Sequence, residues 1–551
     1  MSDEHAQPNS VLAVDFGSVT TRAVLFALAN GRYRMVAHAK APTTSGPPFG
    51  DVGEGLRHTL SEVTRTTGRV MLSELDQLLV PERAPGVGAD EFLATASGGR
   101  PMRAVLVGLV PEISLESARR ASAATYMTIE DAISLADPRS ENAQIDAIIT
   151  LAPDVVFIVG GTDGGAEDAV LNLARRVSVA LSLMEQGRRP RVLFAGNAAL
   201  GFQVQEMFGG QTETHIAQNV RPSLAEETLD AAQTRLGVVY DGFKASSAGG
   251  FREISQVSRI GVLPTSQGFS RLLGFLAAVA RENGGAPRPV LGVDVGGATT
   301  VLATAWEDMT PISVRSDLGL GQSAVTAFEA IGAENIMRWL SYRLDPEDVR
   351  DYAWNKWLRP GTAPQSEADL ELELAFAREV IRTALEGARG MWRRLPRKGA
   401  LLPAFDPILL SGAVFGEAAH PGHAALLLLD ALQPHGVMRV MLDPYGLAPA
   451  LGAAAYRAPL VVVQTLQAGD LPQLGTIIAP LGRLKEGDTA LRIRVRVGET
   501  VSDYGVRAGS LRLIPIEADR ADVIVRPHRR LDLGRGRGRQ VNLRVQGAWP
   551  A

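Results

Sequence analysis

Two aspartates in this sequence each lie between a short apolar run and a turn rich in glycine and hydroxyl residues. Asp15 follows residues 11–14 and Asp294 follows residues 290–293. The turn residues that could contact a ligand are Gly17, Ser18, Thr20 and Thr21 after the first run, and Gly296, Gly297, Thr299 and Thr300 after the second. Glycine lets the backbone N–H groups of such a turn approach a phosphate closely. An adjacent aspartate can bind Mg²⁺ through water or orient an attacking water.

An apolar segment also follows each turn, at residues 23–27 and 301–305. Two apolar segments joined by a tight turn predict a β-hairpin, and the pattern occurs twice. One Asp-x-Gly turn is common in proteins, but here the two aspartates are 279 residues apart (294 minus 15) in closely similar surroundings. We therefore predict two related half-domains whose turns face one another across one nucleoside triphosphate.

The bulk composition describes an ordinary globular protein and excludes several kinds of site. A chain of 551 residues favours three or four domains, and 46% hydrophobic with 21% charged residues is a typical globular content. The net charge of −4 provides no overall attraction to nucleic acid or anionic membranes. Cysteine is absent, which excludes disulfides, thiolate zinc sites, cysteine-ligated iron–sulfur clusters and cysteine nucleophiles.

No targeting or membrane segment is predicted. The first ten residues are polar, and Asp15 interrupts the first apolar run, so no signal peptide is readable. The longest uninterrupted apolar run, near residues 424–429, is far too short to span a bilayer. We therefore expect a cytoplasmic protein with no membrane contact.

Changes in periodicity along the chain predict its domains. Strand–helix alternation after residue 104 predicts crossover connections and a parallel sheet, with a capping box at residues 114–117 opening a helix to residue 126. A period-two pattern begins after residue 459 and predicts a small sandwich or barrel. The predicted segments are a disordered tail (1–10), a first half-domain (11–100), an inserted α/β domain (101–250), a helical connection (251–289), a second half-domain (290–458) and a C-terminal β domain (459–551).

Three further aspartates are candidates for a site. Asp163 lies in the glycine-rich turn at 160–165, where its charge would suit a metal, an amine or a hydroxyl better than an anion, although a tight turn alone also explains the glycines. Asp51 lies in a polar loop that is either a connector or part of the cleft, and Asp317 precedes a helix. The basic turn at 526–539 has no interleaved aromatic residues, so a solvated turn is favoured over a nucleic-acid site.

Together with a Ser-Gly-Ala turn at 411–413 and a small-residue helix at 447–455, the two hairpins resemble the actin/Hsp70/sugar-kinase superfamily, in the expected order. Within it, the chain closely resembles the glutamate mutase L family, found beside coenzyme-B12-dependent mutases such as methylaspartate mutase. The matching motifs run across most of residues 11–455 and are those at 15–21, 108–112, 160–165, 195–197, 219–222, 294–300 and 317–319.

The resemblance implies an α/β fold with two actin-like ATPase (ribonuclease H-like) half-domains, and an ATP-binding accessory protein of a B12-dependent mutase. It implies ATP and Mg²⁺ as cofactors and mutase subunits as partners, with no nucleic acid. Asp15 and Asp294 would organise Mg²⁺ and the attacking water. One side of the β/γ-phosphates would be held by Gly17, Ser18, Thr20 and Thr21, and the other side by Gly296, Gly297, Thr299 and Thr300. The adenosine pocket would be lined by Ser411, Gly412 and Ala413.

Two departures from the family pattern bear on hydrolysis. Val301 stands where an acidic residue often follows the second phosphate motif, and Ala413 replaces a second glycine of the adenosine turn. Two other functions remain open: a small-molecule kinase with Asp163, Asp51 or Asp317 as base, and an actin-like or degenerate nucleotide-binding scaffold. The absence of cysteine excludes the iron–sulfur activators of 2-hydroxyacyl-CoA dehydratases. The client, the relevance of hydrolysis and the formation of a homo-oligomer stay open.

Overall fold

The computed structural model of the chain describes residues 7–282, 288–307, 309–392, 395 and 402–547. The chain divides into two compact units. Unit 1 comprises Met1–Ala27, Val36–Gly268 and Ser313–Ser316, and unit 2 comprises Leu28–Met35, Phe269–Ile312 and Asp317–Ala551. Residues 1–6 of the predicted disordered tail lie outside the described residues, and Ser10 already begins the first strand.

The first sheet is built around a strand that is buried along its whole length. Its first elements are β1 (Ser10–Phe16), β2 (Thr20–Ala29), β3 (Arg32–Pro42), α1 (Gly53–Thr67) and β4 (Glu91–Ala96). Strand β1 pairs antiparallel with β2 and parallel with β4. Asn30 and Gly31 join β2 to β3, and their φ angles of 52° and 75° suit a two-residue hairpin.

A parallel sheet follows, as the strand–helix alternation predicts. After β5 (Met102–Val107) and a π-helical turn (Pro111–Leu115), its elements are α2 (Glu116–Ser122), β6 (Met127–Ile133), α3 (Glu141–Leu151), β7 (Val155–Ile158), α4 (Glu167–Leu183), β8 (Arg191–Phe194), α5 (Gly201–Phe208), β9 (Thr214–Ile216) and α6 (Asp230–Ser247). The strand order is β6-β5-β7-β8-β9, and all four pairings are parallel. The prediction of a parallel α/β sheet is confirmed, and the limits 101–250 of an inserted domain stay a prediction.

The capping box predicted at residues 114–117 is wrong. The Ser114 hydroxyl lies inside the π-helical turn, where it accepts from the Val110 N–H and donates to the Val110 carbonyl, both at 2.9 Å. Pro111 at the first helical position starts the helical segment earlier, and α2 ends at Ser122 rather than at residue 126.

The segment 251–289, predicted as a helical connection, also contains a strand. It holds α7 (Phe251–Val257), β10 (Val262–Pro264) and α8 (Thr265–Glu282). Strand β10 pairs parallel with β4 and completes a five-stranded sheet of order β10-β4-β1-β2-β3. A three-residue strand that ends in proline has too little alternation to be recognised in the sequence.

The second sheet repeats this strand order. Its elements are β11 (Val290–Val295), β12 (Thr300–Ala305), β13 (Ile312–Arg315), α9 (Ala324–Ile331), α10 (Ala333–Met337), α11 (Pro346–Leu358), α12 (Glu367–Ala388), β14 (Ile408–Ser411), α13 (Ala413–Gly416), α14 (Pro421–Leu432), β15 (Gly436–Leu442), α15 (Ala448–Arg457), α16 (Pro459–Ala468) and β16 (Gln473–Ala479). The sheet order is β13-β12-β11-β14-β15-β16. Strand β11 pairs antiparallel with β12 and parallel with β14, as β1 does with β2 and β4. In both sheets three consecutive strands are followed by two that run parallel to the first, which is the ribonuclease H-like order implied by the resemblance.

The period-two pattern predicted from residue 459 begins later than expected. Pro459 stands at the first position of helix α16, where its missing N–H is tolerated, and β16 pairs antiparallel with β15 of the second sheet. The C-terminal sheet comprises β17 (Thr489–Val497), β18 (Thr500–Arg507), β19 (Arg520–Pro527) and β20 (Val541–Gln546), in the antiparallel order β18-β17-β19-β20. None of the helices in the described residues is long and apolar enough to cross a membrane.

Gly292 of β11 provides a test of the packing in the second sheet. A Cβ atom on Gly292 would lie 2.5 Å from Cε1 of Phe269 and 2.7 Å from Cδ1 of Leu273, both on α8. We predict that Gly292→Ala lowers the free energy of unfolding by about 1–3 kcal/mol, because the ring and the leucine must move. Gly475→Ala on β16 is the matched control, since nothing lies within 4 Å of its Cβ position. Urea unfolding that shows equal stability for the two variants would contradict this packing.

Candidate functional site

The turn between β1 and β2 is closed by backbone contacts. The Gly17 N–H donates to the Thr20 carbonyl at 3.1 Å, and a Cβ on Gly17 would lie 2.6 Å from that oxygen. Gly98, which follows β4, packs on the turn so closely that a Cβ would lie 2.4 Å from the Gly17 carbonyl oxygen. The N–H of Val19 at the tip donates to no acceptor among the described residues. The turn therefore accepts only glycine at positions 17 and 98 and leaves a tip N–H without an internal acceptor.

Asp15, at the end of β1, is a buried carboxylate held by two hydroxyl groups. Only 5% of its surface is exposed, and its Oδ1 accepts from the Thr95 hydroxyl at 2.7 Å and the Thr265 hydroxyl at 2.6 Å. Burial raises the pKa of Asp15, while the two hydroxyl bonds and the charge of Arg22 lower it. The carboxylate is therefore held in place but at a cost in solvation.

The two threonines after the first turn differ in accessibility. Thr20 and Ser18 are half-buried, whereas Thr21 is fully buried and its hydroxyl lies 2.9 Å from the Thr43 hydroxyl. The Thr43 N–H donates to the Val19 carbonyl at 2.9 Å. Thr21 thus ties the turn to the following loop.

The turn between β11 and β12 has the same closure in unit 2. The Gly296 N–H donates to the Thr299 carbonyl at 2.8 Å. The N–H groups of Gly297 and Ala298 donate to no acceptor in the described part of the chain. Thr300 is fully buried, and its hydroxyl donates to the Leu318 carbonyl at 2.9 Å. The two turns are therefore alike in hydrogen bonding as well as in sequence.

The loop after Asp317 packs on the second turn. The Gly321 N–H donates to the Gly297 carbonyl at 2.8 Å, and a Cβ on Gly319 would lie 2.5 Å from that oxygen. Asp294 is half-buried and lies beside Ser411 in the parallel pairing of β11 with β14. Within unit 2, the structure therefore brings Asp294, the second turn and the Ser411 turn to the same end of the sheet.

The Ser411-Gly412-Ala413 turn is held by Asp443, a residue that no sequence motif predicted. Gly412 has a φ of 96°, and a Cβ there would lie 2.1 Å from the Val295 carbonyl oxygen. The Ser411 hydroxyl donates to Asp443 at 3.2 Å, and Asp443 also accepts from the Leu447 N–H at 2.7 Å and the Ala448 N–H at 2.8 Å. Asp443 therefore joins this turn to the start of α15. An aspartate just before a helix is a helix-start signal in the sequence, but its bond to Ser411 is not readable there.

Lys244 on α6 has no sequence motif, yet it contacts the first turn through Gly98. It is 1% exposed, its Nζ donates to the Gly98 carbonyl, and this nitrogen lies 5.1 Å from the ring centroid of Tyr240. No carboxylate among the described residues forms an ion pair with it. Burial lowers the pKa of Lys244 to about 7, and the charge of Arg100 acts in the same direction.

Two of the other candidate aspartates bind their own loops. Asp163 Oδ1 accepts from the Asn219 amide at 2.8 Å and the Ala198 N–H at 3.0 Å, which organises the turn at 160–165. Asp51 Oδ1 accepts from the Gly53 N–H at 2.6 Å at the start of α1. These contacts give both residues a structural role, and a role of either one as a catalytic base stays a prediction.

The oxygen donors around Asp15 suit a hard cation. No group of three or more His, Cys, Asp or Glu side chains that could hold a metal occurs within the described residues. Mg²⁺ needs no such group, because it keeps several waters and binds through one or two carboxylates together with phosphate. Both hydroxyl bonds to Asp15 end on Oδ1, and no hydrogen bond from a described residue ends on Oδ2. This second oxygen is the atom suited to a metal-bound water.

The family comparison agrees with this geometry. The profile of the MutL protein family matches residues 11–469, which is more than half of the chain. The chain therefore belongs to the MutL protein family, and the resemblance read from the motifs is confirmed. Protein MutL of Clostridium tetanomorphum is 22% identical over 352 residues, covering 60% of this chain and 73% of that protein.

Solved structures resemble the chain only weakly. A nucleotide-free diol dehydratase-reactivating factor is 11% identical with a TM-score of 0.29, covering 84% of this chain and 100% of that one. The ethanolamine utilization protein EutJ from Carboxydothermus hydrogenoformans is 11% identical with a TM-score of 0.26, covering 82% and 91%. At these scores the matches add nothing to the fold that the strand order already defines.

The buried Lys244 predicts a pH-dependent stability. Its pKa is about 7 in the folded protein and 10.5 when unperturbed, so the unfolded chain binds the extra proton between these values. The free energy of unfolding of the wild type, relative to that of Lys244→Met, should therefore increase as the pH rises from 7 to 10. The increase should be about 1.4 kcal/mol for each pH unit between the two pKa values. Urea unfolding at pH 6.5, 8 and 9.5 measures this.

If the difference in the free energy of unfolding between wild type and Lys244→Met stays constant with pH, the prediction that burial lowers the pKa of Lys244 is wrong. Lys356→Met is the control, because Lys356 is also buried but is paired with Glu373. Its removal should destabilise the protein at every pH tested, because the partly buried carboxylate of Glu373 loses its charged partner and keeps only the hydrogen bond from the Tyr352 hydroxyl.

Proposed function

We propose that the protein binds MgATP with both hairpin turns and hydrolyses it slowly, as an accessory protein that reactivates a coenzyme-B12-dependent mutase. The observation that carries the nucleotide site is the recurrence of one turn in both units. Each turn follows an aspartate near a strand end and is closed by a Gly-to-Thr backbone bond. Within the described residues, the N–H of Val19 in the first turn and those of Gly297 and Ala298 in the second have no acceptor. Such N–H groups at a glycine turn bind phosphate.

The phosphate contacts are assigned by exposure. In the first turn, Gly17 shapes the backbone, while Ser18, Thr20 and the Val19 N–H donate to phosphate oxygens. In the second turn, Gly297 and the Ala298 N–H do the same, with Gly296 shaping the turn. The buried Thr21 and Thr300 fix the turns from behind, because their hydroxyls already bond to Thr43 and Leu318. Of the predicted phosphate ligands, these two therefore become positioning residues.

The two aspartates organise the metal and the water. Asp15 and Asp294 would hold Mg²⁺ through its water ligands, and a bound Mg²⁺ would supply positive charge beside the phosphates. Thr95 and Thr265 keep the Asp15 carboxylate at one orientation through Oδ1, which leaves Oδ2 for the metal-bound water. A cation there would also offset the cost of burying the Asp15 carboxylate, since the same burial raises the pKa of Asp15. With Val301 buried where related ATPases place an acid, slow turnover is expected.

We assign the contacts with adenosine to the turn at residues 411–413. Gly412 holds the backbone conformation, Ser411 is anchored by Asp443, and Ala413 is exposed at the start of α13. The methyl group of Ala413 therefore lies on the surface of the turn, where it contacts the nucleoside.

The accessory role rests on family membership and on a general property of nucleotide switches. A ligand shifts a conformational equilibrium only by its difference in affinity for the two states. ATP that contacts two separate turns favours one arrangement of the chain, and hydrolysis releases it. We propose that this cycle drives the exchange of damaged cofactor in the mutase client, through the inserted α/β domain or the C-terminal sheet.

Replacing either aspartate tests the nucleotide site. We predict that Asp15→Asn and Asp294→Asn each lower the affinity for MgATP and the ATPase rate by at least roughly 10-fold, as loss of a metal partner does. Because the pKa of Asp15 is raised, its neutral isostere should not lower stability at pH 7. Asp168→Asn, at an exposed position of α4, is the control. Unchanged MgATP affinity in calorimetry for both variants would disprove the site.

Reactivation tests the accessory role. A purified coenzyme-B12-dependent mutase, inactivated by turnover until its cofactor is damaged, should regain activity when the protein, MgATP and fresh adenosylcobalamin are added together. Asp15→Asn should restore little, because the nucleotide cycle is lost. A wild-type protein that neither binds the mutase nor restores its activity, with or without ATP, would contradict the proposal.

A further inference from the structure

The C-terminal segment has a charge opposite to that of the rest of the chain. Residues 481–547 contain 15 Lys and Arg against eight Asp and Glu, a formal charge of +7, whereas the whole chain has −4. All but one of these cations are arginine, the exception being Lys485. A basic region in an otherwise acidic chain indicates an interaction with an anionic partner.

The sheet β18-β17-β19-β20 places these arginines on one face. Its other face is buried against a cluster that includes Leu491, Val523 and Leu531. The alternation along each strand leaves the opposite face exposed, and the arginines on this arginine face are Arg492, Arg494, Arg496, Arg507, Arg520, Arg526 and Arg544. The acidic residues there are Asp503 and Asp522, which pair with Arg494 and Arg544.

Five of the seven arginines on the arginine face have no ion-pair partner in the part of the chain that the structure describes. Among the described residues no carboxylate forms an ion pair with Arg492, Arg507 or Arg520. Arg492 lies directly opposite Arg526 in the antiparallel pairing of β17 with β19. Like charges at facing positions lower the stability of a sheet. This cost is offset when an anionic partner binds.

The glycine–arginine loop continues the arginine face. Asp532 Oδ1 accepts from the Gly534 N–H at 2.7 Å and the Gly536 N–H at 2.9 Å, which fixes the loop. The arginines at 535, 537 and 539 are exposed on it. Arg526 donates to Gln540 at 2.8 Å, so the loop and the sheet face meet at this pair.

Apolar side chains beside the arginine face favour a protein partner over nucleic acid. Leu513 is 90% exposed and Leu511 71% exposed, and Arg512 between them donates to the Gly505 carbonyl of the edge strand β18 at 3.0 Å. Val501 on β18 is 47% exposed and pairs with Arg496. Exposed apolar groups mixed with arginine are typical of protein interfaces, whereas single-stranded nucleic acid is bound by stacking on aromatic rings.

We propose that the arginine face, with Leu511 and Leu513 at its edge, binds an acidic surface of the mutase client. This inference rests on the proposed function, because it names the docking surface for that client. Arginine suits the role because its planar group binds carboxylates through two parallel hydrogen bonds.

Charge reversal on the arginine face tests the proposal. The variant Arg492→Glu/Arg507→Glu/Arg520→Glu changes three exposed arginines without a carboxylate partner, so folding should be preserved. The matched control, Arg188→Glu/Arg252→Glu/Arg343→Glu, changes the total charge equally at exposed positions elsewhere. Binding to the purified mutase is measured by interferometry at 50, 150 and 300 mM NaCl, and ATPase activity confirms that each variant is folded.

We expect the arginine-face variant to bind the mutase at least roughly 10-fold more weakly at 150 mM salt with a smaller salt dependence, while the control binds as wild type does. Equal binding by the wild type and the arginine-face variant would overturn this inference and leave the proposed function standing. No mutase binding by the wild type would overturn both. A loss of binding to single-stranded DNA alone, with mutase binding unchanged, would assign the face to nucleic acid and overturn the inference.

Discussion

Close backbone packing around the two hairpin turns is the constraint on which the rest of the structure depends. A Cβ at Gly98 would lie 2.4 Å from the Gly17 oxygen, one at Gly319 would lie 2.5 Å from the Gly297 oxygen, and one at Gly412 would lie 2.1 Å from the Val295 oxygen. Real Cβ atoms do not approach so closely, so these positions admit only glycine. Each turn is thereby held by neighbouring backbone, while the N–H groups of Val19, Gly297 and Ala298 at the tips have no acceptor among the residues that the structure describes.

Burial acts on two charged groups near the first turn, Asp15 and Lys244. It raises the pKa of Asp15 and lowers that of Lys244, so both side chains are shifted toward their neutral forms. Hydroxyl groups hold Asp15, and the Gly98 carbonyl and aromatic rings hold Lys244. Unit 1 therefore keeps its charges near the turn at a cost in stability. A cation at Asp15 would recover part of that cost, which connects the stability of the unit to binding at the turn.

The sequence predicted features whose cause is local. The two hairpins were readable because an apolar run, an aspartate and a glycine turn lie together in the chain, and the parallel sheet was readable from strand–helix alternation. Strand β10 was missed because its three residues gain their strand character only by pairing with β4. The contacts of Asp443 with Ser411 and of Lys244 with Gly98 join residues 32 and 146 positions apart, and no spacing rule connects such pairs. The domain limits and the shared nucleotide remain predictions.

The most direct test of the central claim is the stoichiometry of ATP binding. Titration calorimetry of the full chain with MgATP should give one nucleotide per chain. Disruption of either turn alone, by Gly17→Val or Gly296→Val, should lower the affinity of this single ATP-binding site. It should not leave a second ATP-binding site with unchanged affinity. Two independent binding events per chain, one of them surviving each substitution, would show that the turns do not share a nucleotide and would contradict the account.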